Sequence, residues 1–200
     1  MKDTPRVLKM KVGGEASPSE DAARTVQLLQ RCTSPKQGAG SSSNNNSRGT
    51  LRLDANQAWT MEEALQFSAA LTAAAAGRRH CNSGKYVEEP LRDPRSLEKF
   101  WELSGRRVPY ALDESLRMGR GVFTDEELVQ LKGCAAFVLK VSVVGGLSRT
   151  AKLCRLARRL GAKAVLSSAF ESGVGLAHAS ILASCFATQG VCSYGTTLTC

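Results

Sequence analysis

Short apolar runs that close on a charged residue and hand over to a helix-start signal constrain this chain more than any other feature. They are Val7-Leu8-Lys9-Met10-Lys11-Val12, Leu51-Arg52-Leu53-Asp54, Tyr86-Val87-Glu88-Glu89-Pro90, Tyr110-Ala111-Leu112-Asp113-Glu114-Ser115 and Phe137-Val138-Leu139-Lys140. Leu51 and Leu53 alternate with Arg52 and Asp54, which is the two-residue period of a strand. Thr60-Met61-Glu62-Glu63 then forms a capping box that opens a helix. Ser17-Pro18-Ser19-Glu20 predicts another helix start, with the helix running to about Gln30. Further starts fall at Asp93-Pro94, at Thr124-Asp125-Glu126-Glu127 and near Ser148. Gly77, Gly105, Gly133 and Gly161 are equally spaced and supply the left-handed residue at which helices stop. An apolar strand follows each of them.

A repeating strand–helix unit with right-handed crossovers makes a parallel sheet. Strands are predicted near residues 7–12, 50–55, 85–88, 109–113, 136–141 and 163–168, with a weaker one near 193–199. The expected fold class is α/β, an incomplete (β/α)-barrel of about seven parallel strands and six helices, since eight units take ~250 residues. One domain covers residues 1–200. The tract Thr33–Gly49, which contains Ser41-Ser42-Ser43-Asn44-Asn45-Asn46, is too polar to bury and is expected to be a disordered surface insertion.

Composition narrows the function classes. No apolar run approaches the ~20 residues of a membrane span, and Met1-Lys2-Asp3-Thr4-Pro5 lacks the apolar core of a signal peptide, so neither a membrane nor a targeting segment is expected. The net charge of +9 raises nucleic acid as a partner. Much of that charge, however, falls on one helix whose Lys152, Arg155, Arg158 and Arg159 oppose Leu153, Leu156, Ala157 and Leu160, a solvated face behind a packed one. With no zinc-finger spacing or RNA-binding aromatic motif, no nucleic acid is expected, and the positive field suits an anionic small-molecule substrate. The seven cysteines include no C-x-x-C pair and are expected to be thiols. His80 and His178 stand alone and read as structural or surface residues.

The charged strand ends carry the chemistry. Asp54, Glu88 and Asp113 would lie on three successive strands of a parallel barrel and converge on its mouth. Three close carboxylates repel one another and call for a cation. Oxygen ligands without a nearby His or Cys suit Mg²⁺. Each acid alone could equally be a helix cap or a solvated loop residue. Lys11 and Lys140 come from strands on either side of the trio, and Lys9, on the same face as Lys11, would lower its pKa. A metal with two lysines suits abstraction of a proton α to a carboxylate through an enediolate. Taken singly, each lysine could instead be a surface residue.

Lys9-Met10-Lys11, Leu51 to Trp59, Val87-Glu88-Glu89-Pro90, Leu112-Asp113-Glu114-Ser115 and Lys140 resemble the barrel of the enolase superfamily, muconate-lactonizing-enzyme-like subgroup. Leu51-Arg52-Leu53-Asp54-Ala55-Asn56-Gln57-Ala58-Trp59 and Ser167-Ser168-Ala169-Phe170-Glu171-Ser172-Gly173-Val174-Gly175-Leu176 are similar to the o-succinylbenzoate synthases of menaquinone and phylloquinone biosynthesis. The resemblance implies a Mg²⁺-dependent carbon–oxygen lyase that converts 2-succinyl-6-hydroxy-2,4-cyclohexadiene-1-carboxylate to 2-succinylbenzoate, with Mn²⁺ able to substitute. It implies Asp54, Glu88 and Asp113 as ligands, Lys11 as base and then acid, and Lys140 as stabiliser of the enediolate. Lys9, Arg52, Asn56, Ser167, Ser168, Glu171, Ser172 and Gly173 become substrate contacts. Glu89 is expected to stand behind the ligands or in solvent. The resemblance departs at Val141, where the family usually has proline, and in the α+β capping domain, which these residues do not include. Dipeptide epimerase and muconate cycloisomerase activities share the same residues and stay open, as does an inactive barrel piece. A plant or algal relative would place the chain in a plastid beside other pathway domains of one polypeptide; otherwise it would be cytoplasmic.

Overall fold

The computed structural model describes residues 7–33, 50–75 and 84–187. Six parallel strands stand in sequence order: β1 (Val7–Lys11), β2 (Thr50–Asp54), β3 (Gly84–Glu88), β4 (Tyr110–Leu112), β5 (Cys134–Lys140) and β6 (Lys163–Ser167). They curl into half of a barrel, with helices on the convex side. The helices are α1 (Pro18–Thr33), α2 (Met61–Ala75), α3 (Leu97–Leu103), α4 (Asp125–Leu128), α5 (Val141–Val144), α6 (Leu147–Leu160) and α7 (Gly173–Ala187).

The helix signals act as local chemistry dictates. Thr60 and Glu63 exchange hydrogen bonds ahead of α2, Ser17 and Glu20 do so ahead of α1, and Thr124 with Glu127 completes the box of α4. The helix expected near Ser148 opens at Leu147, after Gly146. One boundary differs from expectation. Helix α1 runs past Gln30 to Thr33, so the first residue of the expected insertion belongs to a helix. The described residues hold seven helices where six were expected, because the crossover after β5 contains the extra turn α5. Val141 is the first residue of that turn, a position that needs no backbone donor and where proline would fit equally well. The remainder of the insertion, Gly77, His80 and the strand expected near 193–199 lie outside the described residues.

Alternation along the strands sorts the side chains into two layers. Leu51, Leu53, Val87, Leu112, Phe137 and Leu139 face the helices and join Phe67, Phe100 and Leu153 in the main core. Each such large side chain stabilises the fold by about 1.5–3 kcal/mol on burial. The opposite, inner face carries a smaller cluster of Tyr86, Ala111, Ala136, Val138 and Val165. The same alternation puts Lys9, Lys11, Arg52, Asp54, Glu88, Asp113 and Lys140 on the inner face. Register aligns them: Lys11 pairs with Asp54, Asp54 with Glu88, and Lys140 with Ser167.

The basic helix α6 is as expected, with Leu153, Leu156 and Ala157 buried and Lys152, Arg155, Arg158 and Arg159 exposed. No helix among the described residues is long and apolar enough to cross a membrane. Cys134, Cys154 and Cys185 are thiols, and His178 lies on the surface. Gly105, Gly133 and Gly161 hold the left-handed backbone expected of them.

Candidate functional site

The carboxyl ends of β2, β3 and β4 bring three buried acids together. Asp54, Glu88 and Asp113 are 1%, 1% and 3% exposed. Lysines from the flanking strands reach over them. The Lys9 Nζ lies 2.5 Å from Glu88 Oε2 and 2.9 Å from Asp54 Oδ2. The Lys11 Nζ is 2.7 Å from Asp54 Oδ2, and Lys140 Nζ is 2.6 Å from Asp113 Oδ2. Lysines thus enter from both sides of the acidic row.

Burial and charge pull these groups in opposite directions. Burial pushes the Glu88 carboxyl above its ordinary range, and the nearby Asp54 and Asp113 add to that against the pull of Lys9. Burial likewise raises Asp113 in spite of Lys140. Burial would raise Asp54 too, but its hydrogen bonds from Lys11 and Lys9 prevail and hold it low. Burial works against the Lys9 ammonium, yet Glu88 and Asp54 together hold it well above the ordinary lysine range. Lys9 is therefore the site's internal counter-charge.

Among the described residues no three His, Cys, Asp or Glu side chains are grouped so as to hold one metal ion as they lie. The Lys9 ammonium lies between Asp54 and Glu88, and Lys140 pairs with Asp113. The donor set still fits a hard divalent ion: it comprises three buried carboxylates on consecutive strand ends, oxygen-only, two of them raised by burial and Glu88 further by its acidic neighbours. Asp54, Glu88 and Asp113 are the residues that could hold Mg²⁺.

A second layer of contacts fixes the turns, and sequence reasoning missed most of it. Asn56, expected as a substrate contact, accepts from the Lys11 ammonium through Oδ1 and donates Nδ2 to Glu114 Oε1 at 3.0 Å. The other Glu114 oxygen is buried without a hydrogen-bond partner among the described residues. Glu89 is not solvated: it is fully buried and accepts from Asp113 N, Ser115 N, Ser115 Oγ and Gln57 Nε2. Burial pushes its carboxyl up against the pull of those donors. The doubled acid Glu88-Glu89 was a visible signal, and strand alternation puts Glu88 at the mouth, but the four partners of Glu89 depended on the turn after β3.

The remaining expected contacts are spread along the rim and floor. Arg52 is buried on the inner face, its guanidinium 6.0 Å from the Tyr86 ring centre. Its Nε and the Tyr86 hydroxyl have no hydrogen-bond partner among the described residues, and burial pushes the Tyr86 phenol up to about 12. Ser167 ends β6 beside Lys140, with Ser168 next to it. Glu171 accepts from the Ser142 hydroxyl at 2.6 Å, Ser172 accepts from Gly175 N at the start of α7, and Gly173 is the first residue of that helix. An open groove of about 1030 Å³ runs beside Lys11 and Asn56, past Gly13, Glu15 and Arg24.

The family described as enolase C-terminal domain-like matches residues 2–197. The chain is 34% identical over 189 residues to the protein PHYLLO, chloroplastic, of Arabidopsis thaliana, which covers 92% of this chain and 9% of that protein. It is 34% identical over 134 residues to an o-succinylbenzoate synthase of Yersinia pseudotuberculosis, covering 67% of this chain and 38% of that enzyme. Among solved structures it is similar to a dipeptide epimerase from Cytophaga hutchinsonii complexed with Mg and the dipeptide D-Ala-L-Val, at 26% identity and a TM-score of 0.67, covering 95% of this chain and 44% of that one. The chain thus spans less than half the length of each of these relatives.

Proposed function

The chain belongs to the enolase C-terminal domain-like family, and from that premise we propose that it is the barrel part of a Mg²⁺-dependent o-succinylbenzoate synthase. The observation that carries this reading is the row of buried Asp54, Glu88 and Asp113 on consecutive strand ends with Lys11 at one side and Lys140 at the other. The identity to o-succinylbenzoate synthases supports this choice within the superfamily.

In this reading the substrate carboxylate lies over the acids, with its α-carbon between the two lysines. Mg²⁺ held by Asp54, Glu88 and Asp113 would supply the positive charge that a developing enediolate needs. Lys11 takes the α-proton on Nζ. The C–O bond to the departing hydroxyl then breaks, and Lys11 returns that proton so that water leaves. Lys140 holds the opposite face of the substrate. Lys9 stays protonated between Glu88 and Asp54. Ser167, Ser168, Arg52 and the turn through Gly173 hold the substrate's carboxylates.

A dipeptide epimerase is the second reading, favoured by the likeness to the Cytophaga structure. One assay separates the two. The chain, joined to a capping domain and the rest of the barrel from the Yersinia relative, is given Mg²⁺ with either 2-succinyl-6-hydroxy-2,4-cyclohexadiene-1-carboxylate or an Ala-containing dipeptide. Dehydration of the first without epimerisation of the second supports the synthase. The reverse selects the epimerase, and turnover of neither leaves a non-catalytic barrel piece. By the likeness to the chloroplastic plant protein, we place the chain in a plastid alongside other domains of one pathway.

A further inference from the structure

Glu89 joins the three turns that carry the acidic row. It is fully buried and its φ is +40°, in the left-handed region that side-chain-bearing residues avoid. Asn56 and Gln57 share that conformation, with φ of +45° and +60°. Such a conformation persists only where its surroundings over-determine it, and here the ties are visible. Glu89 Oε1 accepts from the backbone N–H of Asp113 and of Ser115, both at 2.8 Å. Oε2 accepts from Ser115 Oγ at 2.9 Å and Gln57 Nε2 at 3.0 Å. Its own backbone N–H donates to Ala111 O at 3.0 Å, and its carbonyl accepts from Gln57 N at 2.7 Å.

Apart from the bond to Ala111, which reaches strand β4 itself, each of these bonds crosses from one ligand-bearing turn to another. Gln57 belongs to the turn after Asp54, Glu89 follows Glu88, and Asp113 with Ser115 forms the turn after β4. We propose that Glu89 is a positioning residue that sets the spacing of Asp54, Glu88 and Asp113, and so governs the affinity of the row for a divalent cation. The inference rests on the metal reading above. It extends that reading to a residue that points away from the mouth and touches no substrate. A carboxylate suits the task because it offers two acceptor oxygens to four donors and nothing that needs an acceptor in return.

The chemistry distinguishes positioning from mere packing. In Glu89→Gln the amide oxygen keeps the two backbone donors. Its NH₂ meets Gln57, whose own amide can turn over to accept, while the Ser115 hydroxyl rotates to do the same. In Glu89→Leu all four donors lose their partner. Mg²⁺ alone is the probe, read from the melting temperature of the full chain against Mg²⁺ concentration and from calorimetric titration. Glu89→Leu is expected to weaken Mg²⁺ by about tenfold or more, the usual cost of losing a group that orients a metal ligand, and Glu89→Gln by only about threefold or less. If Glu89→Leu does not fold, Ser115→Ala combined with Gln57→Ala removes the Oε2 donors and is expected to weaken Mg²⁺ measurably. A folded Glu89→Leu, or failing that the double variant, whose melting temperature falls while its Mg²⁺ affinity stays at the wild-type value would overturn this inference alone. No Mg²⁺ response in the wild-type chain would overturn the metal reading along with it.

Discussion

Glu114 determines which end of the Asn56 amide faces Lys11. A carboxylate can only accept, so Asn56 must turn Nδ2 toward it, at 3.0 Å, and present Oδ1 to the lysine. A residue on the turn after β4 thereby orients an ammonium on β1 through a side chain on the turn after β2. Asp54 meets Lys11 from the other side, so the lysine is held between two acceptors.

The Asn56–Glu114 link should therefore matter to turnover more than to folding. Glu114→Ala frees the amide to flip a donor toward Lys11, and kcat in the completed enzyme is expected to fall by about tenfold through lost orientation. Glu114→Gln, which can still accept from Nδ2, should retain most of it. Steady-state kinetics of the two variants check this, and equal kcat values would exclude the link.

The lysines and the metal should separate cleanly. Lys11→Ala and Lys140→Ala are each expected to lower dehydration by about 10²–10⁴-fold, the span of a positioned acid or base. The Mg²⁺-induced rise in melting temperature should survive in both and vanish in Asp113→Ala. A Lys11→Ala enzyme with near-full turnover would assign the base elsewhere.

Lys9→Met removes the counter-charge from Glu88 and Asp54. Breaking a buried ion pair costs about 3–5 kcal/mol; Lys9 keeps one-fifth of its side chain exposed, so about 2–3 kcal/mol is expected without metal. The sign with pH follows from Glu88, whose folded pKa already lies above its ordinary 4.5. Its ionisation costs the fold stability as pH rises through that value, and more so without Lys9. The melting-temperature deficit of the variant should widen from pH 4.5 upward and narrow in Mg²⁺.

Gly133 turns the chain into β5, the strand that ends on Lys140. Its φ is +80°, and a Cβ there would stand 2.3 Å from Trp101 Cγ. Gly133→Ala combines left-handed strain with overpacking, for an expected loss of about 2–4 kcal/mol. Chemical denaturation measures it, and a loss below 1 kcal/mol would mean that Trp101 moves aside freely.

Asp125 pairs with Lys152 and Arg149 of α6. The Lys152 ammonium, ahead of Arg149, holds its carboxyl below the ordinary 3.8. A lowered carboxyl stabilises the fold above its unfolded value and loses that contribution as pH falls through its folded one. Asp125→Asn should cost a few tenths of a kcal/mol to about 1 at neutral pH, as exposed pairs do. The difference between variant and wild type should shrink as pH falls below 3.8 and through the lowered folded value.

Much of the site could be read from order along the chain. Asp54, Glu88, Asp113 and Lys140 each close an apolar run, and strand alternation puts all four on one face whatever the details of packing. The links among them could not be read that way. Glu89 follows a ligand and looks like its duplicate, and only the left-handed turn at that residue sends its carboxylate inward to Asp113 and Ser115. Nothing near Asn56 in the sequence shows that Glu114, far along the chain, takes its amide.

What the sequence determined by itself was local and periodic: the two-residue alternation of the strands, the capping boxes at Ser17, Thr60 and Thr124, and the glycines where helices stop. Each of these depends on neighbours a few residues away, so no tertiary contact is needed to read it. The tertiary structure decided which strand end meets which. Parallel order and register brought Lys9 between Glu88 and Asp54, set Glu114 against Asn56, and made Glu89 a buried tie rather than a solvated acid. Those outcomes follow from side chains that meet across neighbouring and more distant strands, and from how deeply each is removed from water.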